Sequence, residues 1–538
     1  MNSPRVSRRS VLRGAVLGMG AAALGPMTLG QAAAGAAPPG GKTAVVIGSG
    51  FGGAVAALRL GLAGFETTVV ERGRRWPIDP AGNTFATLDQ PDGRAAWFSD
   101  RPYINPLTQF QPIDRYAGVV DQIAGNGINA VYGAGVGGGS LVFGAYTPQP
   151  RRQDFERVFP RELDYGELDR VYYPRARAML GTSPLPADLL AHPKYKGARA
   201  WLADLADFGT APTFNDFCID WDLVRAELAG TRRASVTVGE GPYGINSGAK
   251  NSVDHNYLPR AEATGNVSVL PLHEVVDIRE VQGSNKFEVL LKQIDERGTV
   301  LGHTRRVADY LFMAAGSFHT SALLATAKAT GALPRLGDQV GQGFGNNGDF
   351  LTSRVLTRRD YGAKQAGPGV ALVYDDTDPA GPVSMSWQAA PFPEIAGGNT
   401  TTNLVQAITA ERGSIDYNRA TGRAELNYPH GEGGELDVQA SRFAGRFHEL
   451  ADTRHGYPAN GIPVYTRLAG FGSAATYHGL GGMVMGKACS LEGQVDGYPN
   501  MFVVDGSLIP GAVGLVNPSL TITAIAERCL DHFVAAHG

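Results

Sequence analysis

The sequence predicts a mixed α/β chain in which a parallel, helix-flanked sheet is combined with a large antiparallel β-sheet in a discontinuous second domain. Three observations predict it. A strand, a glycine turn, a helix and a second strand follow one another between residues 43 and 71. Strand-length apolar runs bounded by turn residues recur from about 267 to 428. A buried return strand from Tyr310 follows the antiparallel excursion, and a helix with an early proline closes the chain. The size of 538 residues allows two or three domains' worth of core. A net charge of -3 gives no basic face for a nucleic acid, so none is expected as a partner. The 72 glycines fall in short clusters, which excludes a collagen repeat and suits tight turns or backbone pressed against a ligand.

Residues 1–37 read as a leader. Arg8-Arg9 precedes an apolar Ala/Gly-rich run from about Gly14 to Gly25, and Ala32 to Ala37 supply small residues for cleavage. The paired arginines point to the twin-arginine route, so a secreted protein is expected. No later stretch reaches the ~18 uninterrupted apolar residues of a membrane span. Cys218, Cys489 and Cys529 have neither disulfide nor metal spacing, and they read as small buried hydrophobes.

The first chemical signal is the turn. Thr43 to Ile47 is a β-branched run, Gly48-Ser49-Gly50-Phe51-Gly52-Gly53 follows, and Ala54 to Leu60 is helical. Thr67 to Val70 then ends on Glu71. This is the Rossmann dinucleotide fingerprint. Gly48 permits the turn, Gly50 lets the backbone approach a pyrophosphate, and Gly53 lets the helix pack on the strand. The helix start presents free N–H groups to the phosphates, and Glu71 accepts from ribose hydroxyls. Glu71 followed by Arg72-Gly73 favours FAD modestly over NAD.

Two further elements extend the site. Tyr132 to Ser140 holds the glycines Gly133, Gly135, Gly137, Gly138 and Gly139, and its apolar flanks Val131 and Leu141-Val142-Phe143 argue against a solvated linker. The run Tyr310 to Ser317 reads as a buried strand ending in a turn at Gly316. The runs Val267-Leu270, Val275-Ile278 and Phe287-Gln293 before it read as antiparallel strands. Near the end, Tyr477-His478-Gly479 and Val503-Val504-Asp505-Gly506 lead to Asn517-Pro518 and a helix from Thr521 to about Phe533. His478 alone reads more readily as a structural histidine, and Asn517 as a helix cap. No hydrolase elbow, metalloprotease helix or other metal spacing occurs, so the chemistry is expected to be the cofactor's.

These stretches together resemble the glucose-methanol-choline (GMC) oxidoreductase family and, within it, the bacterial FAD-containing cholesterol oxidases. They are VVIGSGFGGAVAALRLGLAG, YAGVV, GAGVGGGSLV, FMAAGS, YHGLGG and VVDGSLIPG with the later VNP and TITAIAER, in family order from about residue 42 to 535. The resemblance implies non-covalent FAD. It assigns Gly48, Gly50, Phe51, Gly52, Gly53 and Glu71 to the adenine-dinucleotide site. It assigns Gly135, Gly138, Gly139 and Ser140 to the loop passing the pyrophosphate and flavin, and Gly316, Asp505 and Gly506 to the cofactor's remaining contacts. His478 and Asn517 match the pair that faces the flavin's reactive edge. That pair orients the substrate hydroxyl and helps remove its proton, while the carbinol carbon gives hydride to flavin N5 and dioxygen becomes peroxide.

The departures narrow the expectation. Cholesterol oxidases carry a glutamate that moves the steroid double bond, and Gln388 stands in its place in Ser386-Trp387-Gln388-Ala389-Ala390-Pro391. An amide cannot exchange a proton at working pH. Glu394 is the nearest substitute. Phe143 and Tyr146 stand where Asn and Met are common, which reshapes the substrate pocket. The implied layout is the GMC fold, with an FAD-binding domain at 42–150, 240–340 and 465–538 and a substrate domain at 151–239 and 341–464. Strands expected in the latter's sheet are Val370-Tyr374, Val383-Trp387, Thr402-Ala410 and Ala424-Tyr428. The leading expectation is a monomeric oxidase using O2 and a hydrophobic secondary alcohol, a 3β-hydroxysteroid first, with loops near 95–120 opening and touching membranes. An oxidase or dehydrogenase of another natural-product alcohol, and a flavin- or sterol-binding protein without turnover, stay open.

Overall fold

The computed structural model describes residues 41–104, 108–209, 211–355, 357, 359–367, 369–379, 381–389, 398–429, 434–454, 462–465 and 475–538. The expected leader at 1–37 lies outside them. A five-stranded parallel sheet runs in the order Met501–Val503, Tyr310–Met313, Thr43–Ile47, Glu66–Val70, Val267–Leu270. Its centre is the strand after which the chain turns at Gly48. The helix Phe51–Leu62 buries Gly52, Gly53, Ala54, Val55, Ala56 and Ala57. Those small side chains let it lie between the sheet and the closing helix Ser519–His537. The two helices are also tied by charge. Arg59 Nε donates to the fully buried Glu527 at 2.6 Å, and the Tyr257 hydroxyl donates to the same carboxylate at 2.8 Å.

Val267–Leu270 corrects the expectation of an antiparallel strand. Four residues carry no directional signal, and the preceding helix Tyr257–Glu262 is the crossover that returns the chain parallel to Glu66–Val70. The antiparallel excursion is three strands, His273–Glu280, Phe287–Ile294 and Val300–Ala308.

A six-stranded antiparallel sheet has the order Ile462–Tyr465, Asp349–Val355, Thr400–Ala407, Val383–Ala389, Ala371–Asp375, Thr213–Phe214. All eight residues of Thr400–Ala407 are buried, with the helix Glu435–Arg454 packed across the strand. Arg423–Asn427, expected in this sheet, is instead the edge of a four-stranded sheet with Gly413–Asn418, Gln342–Gly345 and Leu480–Gly482. Its alternation fits any half-buried sheet, so periodicity alone did not assign it. This smaller sheet sets the site, because its pairing of Gly345 with Leu480 brings the segments leading to Asp349 and His478 side by side. Residues 41–538 form one compact unit, and among the described residues no helix is long and apolar enough to cross a membrane.

Candidate active site

A cavity of 1170 Å³ lies between the parallel and six-stranded sheets, and the glycine turn forms one of its walls. Gly48 sits at φ +98°, with its N–H donating to the Val70 carbonyl at 2.8 Å. A Cβ there would stand 2.3 Å from the Ala314 oxygen. A Cβ on Gly52 would meet the Val504 oxygen at 1.8 Å, and one on Gly53 the Gly48 oxygen at 2.0 Å. These three glycines are imposed by the protein's own backbone. Gly50 and Gly139 are different. A Cβ on Gly50 has nothing nearer than the Gly138 Cα at 3.9 Å, and one on Gly139 has no neighbour within 4 Å. The two loops therefore face one another across a cradle that side chains would fill.

The acids around the cradle are held by the fold. Glu71 accepts from the Ser49 N–H at 3.1 Å, the Ser49 hydroxyl at 2.7 Å and the Gly73 N–H at 2.9 Å. Burial outweighs these bonds and raises its pKa. Ser49 also accepts from the Gly137 N–H at 3.0 Å, so one hydroxyl couples the two glycine loops. Ser49 occupies a variable position of the fingerprint, and sequence reasoning passed over it. Asp505 takes the Gly316 N–H at 2.8 Å, the Thr320 hydroxyl at 2.6 Å and the Ser507 N–H at 2.8 Å. Burial raises its pKa too. It thereby joins two strand ends of the parallel sheet, and with Gly316 and Gly506 it stands on the cavity wall.

The opposite end carries the reactive pair. His478 Nε2 is 3.3 Å from Asn517 Nδ2, and both residues line the cavity. Asn517 is therefore not a helix cap, since the closing helix starts at Ser519 with no side-chain cap. His478 Nδ1 is 2.6 Å from Asp349 Oδ2, and the Asp349 side chain is 1% exposed. The other Asp349 oxygen accepts from Gln406 Nε2 at 3.0 Å and Asn347 Nδ2 at 3.3 Å. Asn347 also donates to the Val516 carbonyl at 2.9 Å, next to Asn517. A carboxylate has no proton to give, so Nδ1 carries the hydrogen, and in the neutral ring the Nε2 lone pair accepts from Asn517 Nδ2 at the cavity wall. Asp349 was not foreseen. It lies 129 residues from His478 in sequence, and only strand pairing reveals it.

The remaining expected residues divide. Phe51 and Phe143 meet edge to face at 5.2 Å on the cavity wall. Tyr146 lines the cavity but is 3% exposed, and its hydroxyl donates to the Gly369 carbonyl. Gly53, Gly135 and Ser140 lie behind the wall. Gly135 makes room for Trp76, and Ser140 donates to the Gly137 carbonyl at 2.7 Å while accepting from the Val253 N–H at 3.1 Å. They shape the loops instead of facing the cavity. Gln388 belongs to the strand Val383–Ala389 at a register shift, but its side chain and all of Glu394 lie outside the described residues.

Residues 414–526 match the family model described as GMC oxidoreductase. That stretch carries the C-terminal GMC oxidoreductase domain. It is 27% identical to a cholesterol oxidase of Acinetobacter baumannii over 92% of this chain and 94% of that one. It is 26% identical to a cholesterol oxidase of Mycobacterium tuberculosis (strain CDC 1551 / Oshkosh) over 90% and 89%. The solved structure of pyridoxine 4-oxidase from Mesorbium loti superposes with a TM-score of 0.61 at 17% identity, covering 92% of this chain and all of that one, and so shares the fold. GMC oxidoreductases are FAD-binding flavoproteins. The side-chain-free cradle at Gly50 and Gly139, the helix start beyond it and Glu71 suit the pyrophosphate and ribose of that cofactor.

Proposed function

We propose that this GMC oxidoreductase is an exported alcohol oxidase of cholesterol-oxidase type. It oxidises a hydrophobic secondary alcohol, a 3β-hydroxysteroid first, to a ketone with reduction of O2 to peroxide. The observation that carries the reading is the pair His478 and Asn517, backed by Asp349, at the end of the cavity that the glycine turn opens. The N-terminal arginine pair motivates export, and the relatives' names motivate the substrate class.

Gly50, Gly139, Glu71 and the Asp505 segment would hold FAD, which supplies the hydride acceptor when bound and is taken to be non-covalent. The chain's own residues do the rest. The Nε2 lone pair of His478 receives the substrate hydroxyl proton, and Asp349 stabilises the imidazolium that forms. Asn517 Nδ2 donates to the alcohol oxygen as its negative charge grows. Deprotonation at oxygen and departure of hydride from the adjacent carbon together leave the carbonyl. Apolar walls, including Leu351, Trp387 and Ile522, exclude water and favour an apolar substrate. Phe110, 74% exposed within the loop expected to open, supports contact with the membranes where such substrates reside.

One observation favours a second reading. The Phe143 ring occupies the cavity wall against Phe51, where cholesterol oxidases commonly carry a smaller Asn, so the preferred alcohol would be slimmer than a sterol. A panel of 3β-hydroxysterols and smaller secondary and aromatic alcohols, read by peroxide release, separates the two. Peroxide with sterols supports the first, and peroxide with only the smaller alcohols the second. Dye reduction without peroxide would replace oxidase by dehydrogenase.

A further inference from the structure

The loop from Gly138 to Tyr146 runs the length of the site. It begins opposite Gly50 and ends where the Ser519 hydroxyl donates to the Tyr146 carbonyl at 2.9 Å, two residues beyond Asn517. Lys250 stands beneath the middle of that span. Its Nζ donates to the Phe143 carbonyl at 2.7 Å and the Leu141 carbonyl at 2.8 Å, with the Gly241 carbonyl at 3.4 Å. It is 4% exposed, lines the cavity and lies 5.5 Å from the Phe143 ring centre. A backbone bridge between Ile219 and Lys250 fixes its origin.

Its surroundings distinguish it from Arg72 and Lys364 on the cavity wall. Arg72 is paired with Asp121 at 2.7 Å, and Lys364 with Asp89 at 2.7 Å. The Lys250 hydrogen bonds go to carbonyl oxygens instead. Burial pushes its ammonium down to about 7, with the Asp254 carboxylate opposing that fall. Three converging carbonyl dipoles favour the charged form, because an ammonium has three hydrogens to give and a neutral amine two. Surface display does not explain a long cation threaded under a glycine loop, since burying a charge costs free energy unless something uses it.

We propose that Lys250 is a positioning residue of the flavin site: it clamps the Leu141–Phe143 backbone, sets the Phe143 ring on the cavity wall, and places a positive charge behind the loop that favours the reduced cofactor. The proposal rests on the FAD-dependent reading above but not on the identity of the alcohol. A cation favours the electron-rich redox state over the neutral oxidised one, so it raises the reduction potential.

The test is the midpoint potential of the FAD-loaded enzyme, measured by dye equilibration at about pH 6, where the Lys250 ammonium is protonated, beside its visible spectrum. Lys250→Met keeps an unbranched side chain one atom shorter, without the charge. It should lower the preference for reduced over oxidised FAD about tenfold, or about 30 mV for a two-electron couple. The visible band should also shift, and Lys250→Arg should restore most of the potential. If the methionine variant does not fold, Lys250→Gln, which offers amide hydrogens without charge, should shift the potential in the same direction. An unchanged potential in either folded, FAD-loaded neutral variant overturns the proposal. Because the dyes report on the cofactor alone, failure of every alcohol to react would count against the oxidase reading and leave this test standing.

Discussion

Asp349 decides which nitrogen of His478 carries the proton, and the chemistry turns on that choice. Asp349→Asn offers Nδ1 an amide that can donate as well as accept, so the tautomer with a lone pair on Nε2 is no longer enforced. Flavin reduction in stopped flow should fall about 100-fold or more while FAD content stays unchanged. His478→Gln keeps a donor for the carboxylate but has no basic nitrogen, and it should fall at least as far. Reduction at the wild-type rate in both variants would remove the dyad from the mechanism. These residues differ in how far the sequence exposes them. His478 and Asn517 sit in motifs that resemble a family, whereas Asp349 sits in an ordinary strand and gains meaning only from its partner. Ser49 escaped notice for another reason, since the fingerprint specifies glycines for shape and leaves the intervening hydroxyl unassigned.

At the scale of elements, the turn after Thr43–Ile47 separates two kinds of glycine. Gly48→Val would force a side chain onto the Ala314 carbonyl at a left-handed backbone position, so the protein should fail to accumulate in folded form. Gly50→Val meets no close backbone, so the fold should survive while FAD is lost, read as a cooperative thermal transition in colourless protein. A yellow, fully loaded variant would contradict the assignment of the cradle. Arg72, just past the strand Glu66–Val70, is joined to Asp121 on Val120–Ala124, a strand of a separate three-stranded sheet, with His319 3.3 Å from the same carboxylate. Burial alone would raise Asp121, but Arg72 and His319 outweigh it and hold the carboxyl far below its usual range. A depressed carboxylate contributes stability above its unfolded pKa of about 3.9, and that stability is lost as pH falls towards the folded value. Asp121→Asn should therefore lower Tm at neutral pH and flatten its decline below about pH 4. An unchanged acid limb would refute this. The Rossmann unit was legible because its strand, turn, helix and acid are contiguous. The direction of Val267–Leu270 and the sheet that takes Arg423–Asn427 were not, because short strands choose partners through tertiary packing.

For the whole molecule, the two sheets divide the labour: the parallel one supplies the glycine-turn wall and the antiparallel one roofs the cavity beside His478. The fold class was legible from the order of motifs, but the cavity was not, since its walls are gathered from segments hundreds of residues apart. Substrate chemistry follows the same division. If Gln388 takes the glutamate's position, as the resemblance implies, a Δ5-sterol should be released as the unconjugated 3-ketone, followed by ultraviolet absorbance of the product. Prompt appearance of the conjugated enone would show that another group moves the proton. The central claim is that alcohol is oxidised at FAD by the His478 and Asn517 pair. Anaerobic mixing of the purified yellow protein with a panel of sterols and smaller secondary alcohols tests it most directly. The account predicts bleaching of the flavin band with at least one hydrophobic secondary alcohol, at a rate that His478→Gln lowers about 100-fold. A flavin that stays oxidised with every alcohol, or bleaches as fast without His478, would contradict it.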